Sequence, residues 1–210
     1  MVDVDNAHVT IHIMKPTLYV EQKITPFVNK YKVSNVKGDE KGQVVAFAQQ
    51  KRLAFKEKVT FYSDDRKDQA IFTLRAEKVF DVHGKYLIED MDGQLIGALQ
   101  KEFKKSLVNS TWNILDTEMN TVYTVNESNQ TLAVLRRYLG FLSDIAELVL
   151  IFFKYHFTFK DTSGIEHGRY TKTTLLRDHY RLDADETLSS TVDWRVLAAM
   201  AVALDALQSR

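Results

Sequence analysis

Over the first 125 residues apolar and polar positions alternate in short runs, the pattern of strands with one buried and one wetted face. The runs predict strands at Thr17–Glu21, Lys30–Asn35, Val44–Arg52, Lys58–Tyr62, Ala70–Glu77, Lys85–Asp90, Gln94–Lys101, Thr111–Asp116 and Thr121–Val125. Polar or glycine-bearing turns separate them, among them Gly38-Asp39-Glu40, Asp64-Asp65-Arg66 and Asp92-Gly93. Pro26 places a short helical turn over Thr25–Lys30. Ser128 or Asn129 caps a helix through Thr131–Leu142 that carries Arg136 and Arg137 on its exposed side. An apolar run, Ile145–Phe153, precedes strands at Tyr155–Asp161, His167–Thr173 and His179–Asp183.

The chain closes on a different pattern. Val192–Leu207 (VDWRVLAAMAVALDAL) is apolar on every face, interrupted only by Arg195 and Asp205, with Asp193 as its N-cap. A helix apolar all round must be enclosed, by lipid or by protein. At ~1.5 Å per residue the segment spans about 24 Å, about one turn short of the ~30 Å hydrocarbon core. Its many alanines let surrounding strands approach closely, a limit that lipid does not impose. A helix threaded through a closed sheet fits better, because closure removes the strand edges and the inner residues cover the helix. Trp194, Val196, Leu197, Met200, Ala201, Leu204 and Leu207 are its expected core positions. Arg195 and Asp205, about 15 Å apart along the axis, belong near opposite barrel mouths. A buried Asp205 would need a donor from the wall.

Composition narrows this picture. Hydrophobic residues make up 45% and charged residues 27%, values of a folded globular chain. Two prolines, eight glycines and no linker-like stretch favour one domain over residues 1–210, with 1–16 as a flexible or extra N-terminal segment. Twenty-eight basic residues balance twenty-eight acidic ones, so no net field draws nucleic acid or an anionic bilayer, although a local patch remains open. No cysteine is present, which removes disulfides, thiolate nucleophiles and cysteine-based metal sites. The acidic, interrupted N-terminus is unlike a signal peptide, and the expected location is cytoplasmic.

A repeat runs through the strands. Asp90-x-x-Gly93-x-x-x-Gly97 recurs as Asp161-x-x-Gly164-x-x-x-Gly168, and Leu115–Tyr123 reads as a third, glycine-free copy. The aspartate closes a turn through its own backbone and the first glycine supplies a positive φ. The second glycine, inside the returning strand, marks a bend or the close approach of another backbone. A phosphate-cradling loop would require a helix after the glycines, and strands follow.

Three stretches carry a family resemblance: Ala70–Lys101, Tyr155–Thr173 (YHFTFKDTSGIEHGRYT) and the ending Asp193–Leu207. In this order they resemble the tubby C-terminal-like superfamily, and within it the LURP-one-related and phospholipid-scramblase-like proteins, from about Leu18 onward. The resemblance implies a mainly β fold: a closed twelve-stranded antiparallel barrel around a central hydrophobic C-terminal helix.

Catalytic signatures are absent. The six histidines form no metal-type helical pair. A pairing of His156 with His167 across a hairpin competes with the simpler reading of surface or hydrogen-bonded histidines. No nucleophile elbow, Walker loop or dinucleotide fingerprint occurs, and no catalytic residue, metal or cofactor is assigned. Some scramblases have a proposed calcium segment where this chain has Asp183-Ala184-Asp185-Glu186. Counted from Asp183, an EF-type loop would place Leu188 at position six and Trp194 at position twelve, where Gly and Glu are required. A solvated turn is the better reading.

Tubby proteins bind phosphoinositide head groups through basic side chains. The candidate basic positions here are Lys51, Arg52, Lys56 and Lys58, with Lys101, Lys104 and Lys105, although Glu57 and Glu102 interleave and solvated strand ends account for them equally. The function expected is a non-enzymatic binding or tethering module for phospholipid head groups, peripheral at a membrane. The alternatives are a protein-interaction scaffold without a lipid ligand and, further off, a membrane-inserting scramblase.

Overall fold

A computed structural model describes residues 14–25, 28–51, 58–77, 84–102, 111–127, 156–174 and 178–208. Twelve antiparallel strands close into one barrel in chain order, β12 (His179–Ala184) pairing with β1 (Lys15–Ile24) to complete the ring. Between them run β2 (Val28–Lys37), β3 (Glu40–Lys51), β4 (Lys58–Tyr62), β5 (Ala70–Ala76), β6 (Lys85–Asp90) and β7 (Leu95–Lys101). They are followed by β8 (Thr111–Leu115), β9 (Thr121–Glu127), β10 (His156–Asp161) and β11 (Glu166–Lys172). The twelve-stranded closed barrel expected from the resemblance is what forms. Thr131–Leu142 and Ile145–Phe153 lie outside the described residues.

The helical turn expected over Thr25–Lys30 is replaced by a tight reversal. The Thr25 amide donates to Val28 O at 3.0 Å, the Thr25 hydroxyl reaches the same oxygen at 2.6 Å, and Val28–Lys30 already belong to β2. A threonine that satisfies the turn locally competes with helix formation.

The repeated turn is one physical device used along one end of the barrel. Asp90, Asp116 and Asp161 each accept two backbone amides through Oδ1, at 2.8–3.0 Å. The third residue after each has positive φ: Gly93 (+80°), Met119 (+69°) and Gly164 (+85°). Each returning strand then carries a bulge, at Ile96, Val122 and His167, so the chain bends inward over the helix. A longer fourth version follows Asp64, with Lys67 at φ +66°. Gly97 and Gly168 come directly after bulges and are forced by proximity. A Cβ on Gly97 would stand 3.0 Å from Leu115 O and 3.1 Å from Val196 Cγ2; on Gly168, 2.5 Å from Leu188 Cδ2.

Two helices finish the chain, α1 (Glu186–Thr191) and α2 (Trp194–Gln208). Val196, Leu197, Met200, Ala201 and Leu204 are buried within the same core as the inner faces of the strands. Trp194 sits at the mouth, 39% exposed, its ring edge-on to Phe72 with centroids 5.8 Å apart. The backbone of Leu207 lies in α2. Asp193 caps α2 through the Arg195 amide at 2.8 Å and also binds the Arg195 guanidinium. At the far end Asp205 is buried and finds its donors on the wall: Tyr31 at 2.8 Å and Tyr180 at 2.7 Å. Among the described residues, no helix is long and apolar enough to cross a membrane.

Candidate functional site

The outer wall of β1–β3 carries a cavity of about 920 Å3, and the hairpin register decides what faces it. Lys23 stands directly opposite Lys30, Glu21 opposite Lys32, Lys32 opposite Phe47, and Phe47 opposite Tyr62. Like charges directly opposed across strands are unfavourable unless something offsets them. The nearby carboxylates are already engaged. Glu21 binds Lys41 at 2.8 Å and lies 3.9 Å from Lys32. Burial works to raise the Glu21 pKa, yet the Lys41 hydrogen bond and the lysine charges outweigh it and hold it low. Asp178 accepts from the buried Lys172 ammonium at 2.7 Å, and Lys67 donates to Gln49 at 2.6 Å. Lys23 and Lys30 thus face the cavity beside the aromatic rings of Phe47 and Tyr62, without a carboxylate of their own among the described residues.

The basic positions read from the sequence fall partly within view. Lys51 ends β3, Lys58 opens β4 exposed and Lys101 ends β7, all at the barrel end opposite the aspartate turns. Lys58 faces Arg75 in register, and Arg75 is bidentate on Glu89 at 2.6 and 2.7 Å. Lys101 is half-buried with Nζ 5.5 Å from the Trp112 ring centroid, and burial lowers its pKa. Arg52, Lys56, Lys104 and Lys105 lie outside the described residues. Sequence reasoning missed Lys23 and Lys30 because placing Thr25–Lys30 in a helical turn hid the hairpin. Residues equidistant from a tight reversal at 25–28 would have met across it.

A second polar constellation joins three elements. His167, the bulge residue of β11, lies 2.7 Å from Asp185 through Nδ1 and 3.2 Å from Asp161 through Nε2. Asp185 is also the N-cap of α1, accepting from the Leu188 amide at 2.9 Å. The acidic stretch before the terminal helix is therefore not a solvated turn: Asp183 and Ala184 are strand, and Asp185 is buried. Burial pulls the His167 imidazole down, but hydrogen bonds to Asp185 and Asp161 outweigh it and hold it above its ordinary value. Both ring nitrogens are occupied, which makes a clasp between the β10–β11 turn and α1. His156 is opposite Thr171, not His167. Among the described residues, no group of three His, Cys, Asp or Glu side chains is placed to hold a metal ion.

A closed antiparallel barrel with a C-terminal helix in its core, offering a cationic groove on its outer wall, defines a helix-filled β-barrel domain. The family model described as LURP-one-related matches residues 44–205, and the chain belongs to that family. Among solved structures, a crystal structure of an Arabidopsis thaliana protein is similar at 9% identity and a TM-score of 0.33, covering 93% of this chain and 94% of that one. No curated protein matches the sequence.

Proposed function

We propose that this domain is a non-enzymatic binding module, and that its ligand is the phosphorylated head group of an anionic phospholipid held in the β1–β3 groove. The observation that carries this reading is the directly opposed pair Lys23–Lys30 at a cavity of about 920 Å3. A phosphate between the two ammonium groups turns a repulsion into two charge-assisted hydrogen bonds. Phe47 and Tyr62 give the groove an apolar side on which a ring-shaped head group can rest. The experiment is flotation with phosphatidylcholine vesicles, with and without phosphoinositide, at low ionic strength where exposed charges are least screened. Phosphoinositide-dependent flotation that weakens in Lys23→Gln/Lys30→Gln supports the reading. Flotation with neither composition leaves the protein-interaction scaffold as the better account.

A further inference from the structure

The groove lysines are the first members of a longer series. Seven consecutive strands each place one cation at the same barrel end: Lys23, Lys30, Lys51, Lys58, Arg75 and Lys85 on β1 to β6, and Lys101 on β7. Neighbouring strands lie about 4.8 Å apart, so the series follows an arc of roughly 30 Å along the rim. Two direct oppositions of like charge occur within it, Lys23 against Lys30 and Lys58 against Arg75. Arg75 is neutralised by Glu89, which leaves Lys23, Lys30, Lys58 and Lys85 as charges presented along the rim. Ile24, 52% exposed, adds an apolar side chain between Lys23 and the next strand.

The other end has the opposite sign. The hairpin turns there carry Asp39, Asp64, Asp90, Asp116 and Asp161, and Asp193 caps the helix that enters from that side. The helix follows the same polarity, its positive N-terminus among the carboxylates and its negative C-terminus towards the lysines. A net charge of zero therefore conceals a molecule polarised along its barrel axis.

We propose that the barrel docks end-on against an anionic lipid surface through the β1–β7 rim, with the acidic turns facing away. This rests on the head-group reading and deepens it, because the groove opens beside the rim and a lipid held there brings the rest of the arc to the bilayer. An extended anionic surface meets all of the arc at once, whereas an acidic peptide in the groove meets only its β1–β3 part. Ile24 is placed where an apolar side chain can enter the interface.

The test separates the rim from the groove. Lys58→Glu/Lys85→Glu alters the rim without touching a residue that lines the cavity. Asp92→Lys/Glu118→Lys makes a charge change of the same size at the opposite end, on exposed side chains. Each is compared with the wild type on vesicles of phosphatidylcholine with about 30% phosphatidylserine, and on inositol hexakisphosphate in solution. Melting curves confirm folding, and Lys58→Gln/Lys85→Gln serves as the milder rim variant. The rim variants should weaken vesicle binding about tenfold or more at low salt, while binding the soluble phosphate as the wild type does. The opposite-end variant should leave vesicle binding within about twofold of the wild type. The proposal is overturned by wild-type protein that ignores phosphatidylserine vesicles, by rim variants that bind them normally, or by an opposite-end variant that gains as much as the rim variants lose. Loss of inositol phosphate binding alone, with vesicle binding intact, strikes the groove reading and not the rim.

Discussion

Tyr31, on β2, donates its hydroxyl to Asp205 Oδ2 over 2.8 Å and so ties the wall of the barrel to the helix inside it. Tyr180 does the same for Oδ1 from the other side of the closure, and its ring stacks on Tyr170 at 5.1 Å. The only carboxylate of α2 is thereby used to fix the depth and rotation of a helix whose other buried contacts are apolar and non-directional. Burial raises the Asp205 pKa, because the two tyrosine bonds and the Lys172 charge do not make up for lost water.

A carboxyl with a raised folded pKa binds its proton more tightly in the native state. Asp205 therefore lowers stability as pH rises from the unfolded value of ~3.9 through the folded value above it, and the loss is complete beyond that. Asp205→Asn keeps one acceptor and gains a donor for the second tyrosine oxygen, so it should remove this slope. Denaturant melts of both proteins from acid to neutral pH measure it; parallel curves would contradict the assignment. Tyr180→Phe leaves Asp205 Oδ1 short of its donor and should cost about 1–3 kcal/mol.

His167 has the opposite linkage. Its folded pKa is raised by Asp185 and Asp161, so its stabilising contribution is full below the unfolded value of ~6.5 and fades as pH rises through the folded value. His167→Gln should therefore be most destabilised, relative to the wild type, on the acid side of that window. Thermal melts across the window test this, with amide exchange in α1 showing whether the Asp185 cap loosens as well. A constant difference at every pH would make His167 a neutral packing residue.

Much of the architecture was legible because it depends on local patterns. Alternation located the strands, and the Asp-x-x-Gly spacing found three of the aspartate turns, including the copy in which Met119 takes the place of glycine. The all-round apolar character of Val192–Leu207 identified the core. Contacts between distant residues were not legible. Register brings Lys23 to Lys30 and Lys58 to Arg75, and a one-residue shift would send each side chain to the other face. Asp185 looked like part of a solvated turn because four polar and small residues in a row carry no trace of a histidine supplied eighteen positions away. The wall donors of Asp205 come from 174 and 25 residues upstream, so only the need for them could be read in advance.

The glycines of the repeat divide by cause, and substitution should separate them. Gly93 has φ +80° with nothing near its missing Cβ, so Gly93→Ala should cost about 1–2 kcal/mol for the left-handed backbone alone. Gly168 has ordinary backbone, but a Cβ there would press on Leu188 at 2.5 Å and Asp183 O at 3.0 Å. The Leu188 side chain can turn aside; the Asp183 carbonyl, held in β12, cannot. Gly168→Ala should cost about 1–3 kcal/mol through overpacking, with Gly168→Val considerably worse while Gly93→Val stays close to Gly93→Ala. Equilibrium unfolding of the four variants decides it, and equal sensitivity to side-chain size at both positions would contradict the close-approach account.

The strongest demand falls on the terminal helix. Val196, Leu197, Met200, Val202 and Leu204 are all buried, and each contributes about 1.5–3 kcal/mol relative to exposure. Their sum is comparable to the ~5–15 kcal/mol by which a whole domain is stable. Removing residues 193–210 also empties the interior that Tyr31, Tyr180 and Gly97 are arranged to meet. A twelve-stranded barrel cannot contract onto the space without changing its register, because strand number and stagger set its diameter. The truncated chain should lose cooperative unfolding and amide protection in every strand together. Adding Asp193–Arg210 back as a peptide should restore both in a saturable manner. A truncated protein that stays soluble and melts cooperatively by itself would show that the helix is packed on the barrel as an accessory and is not its core.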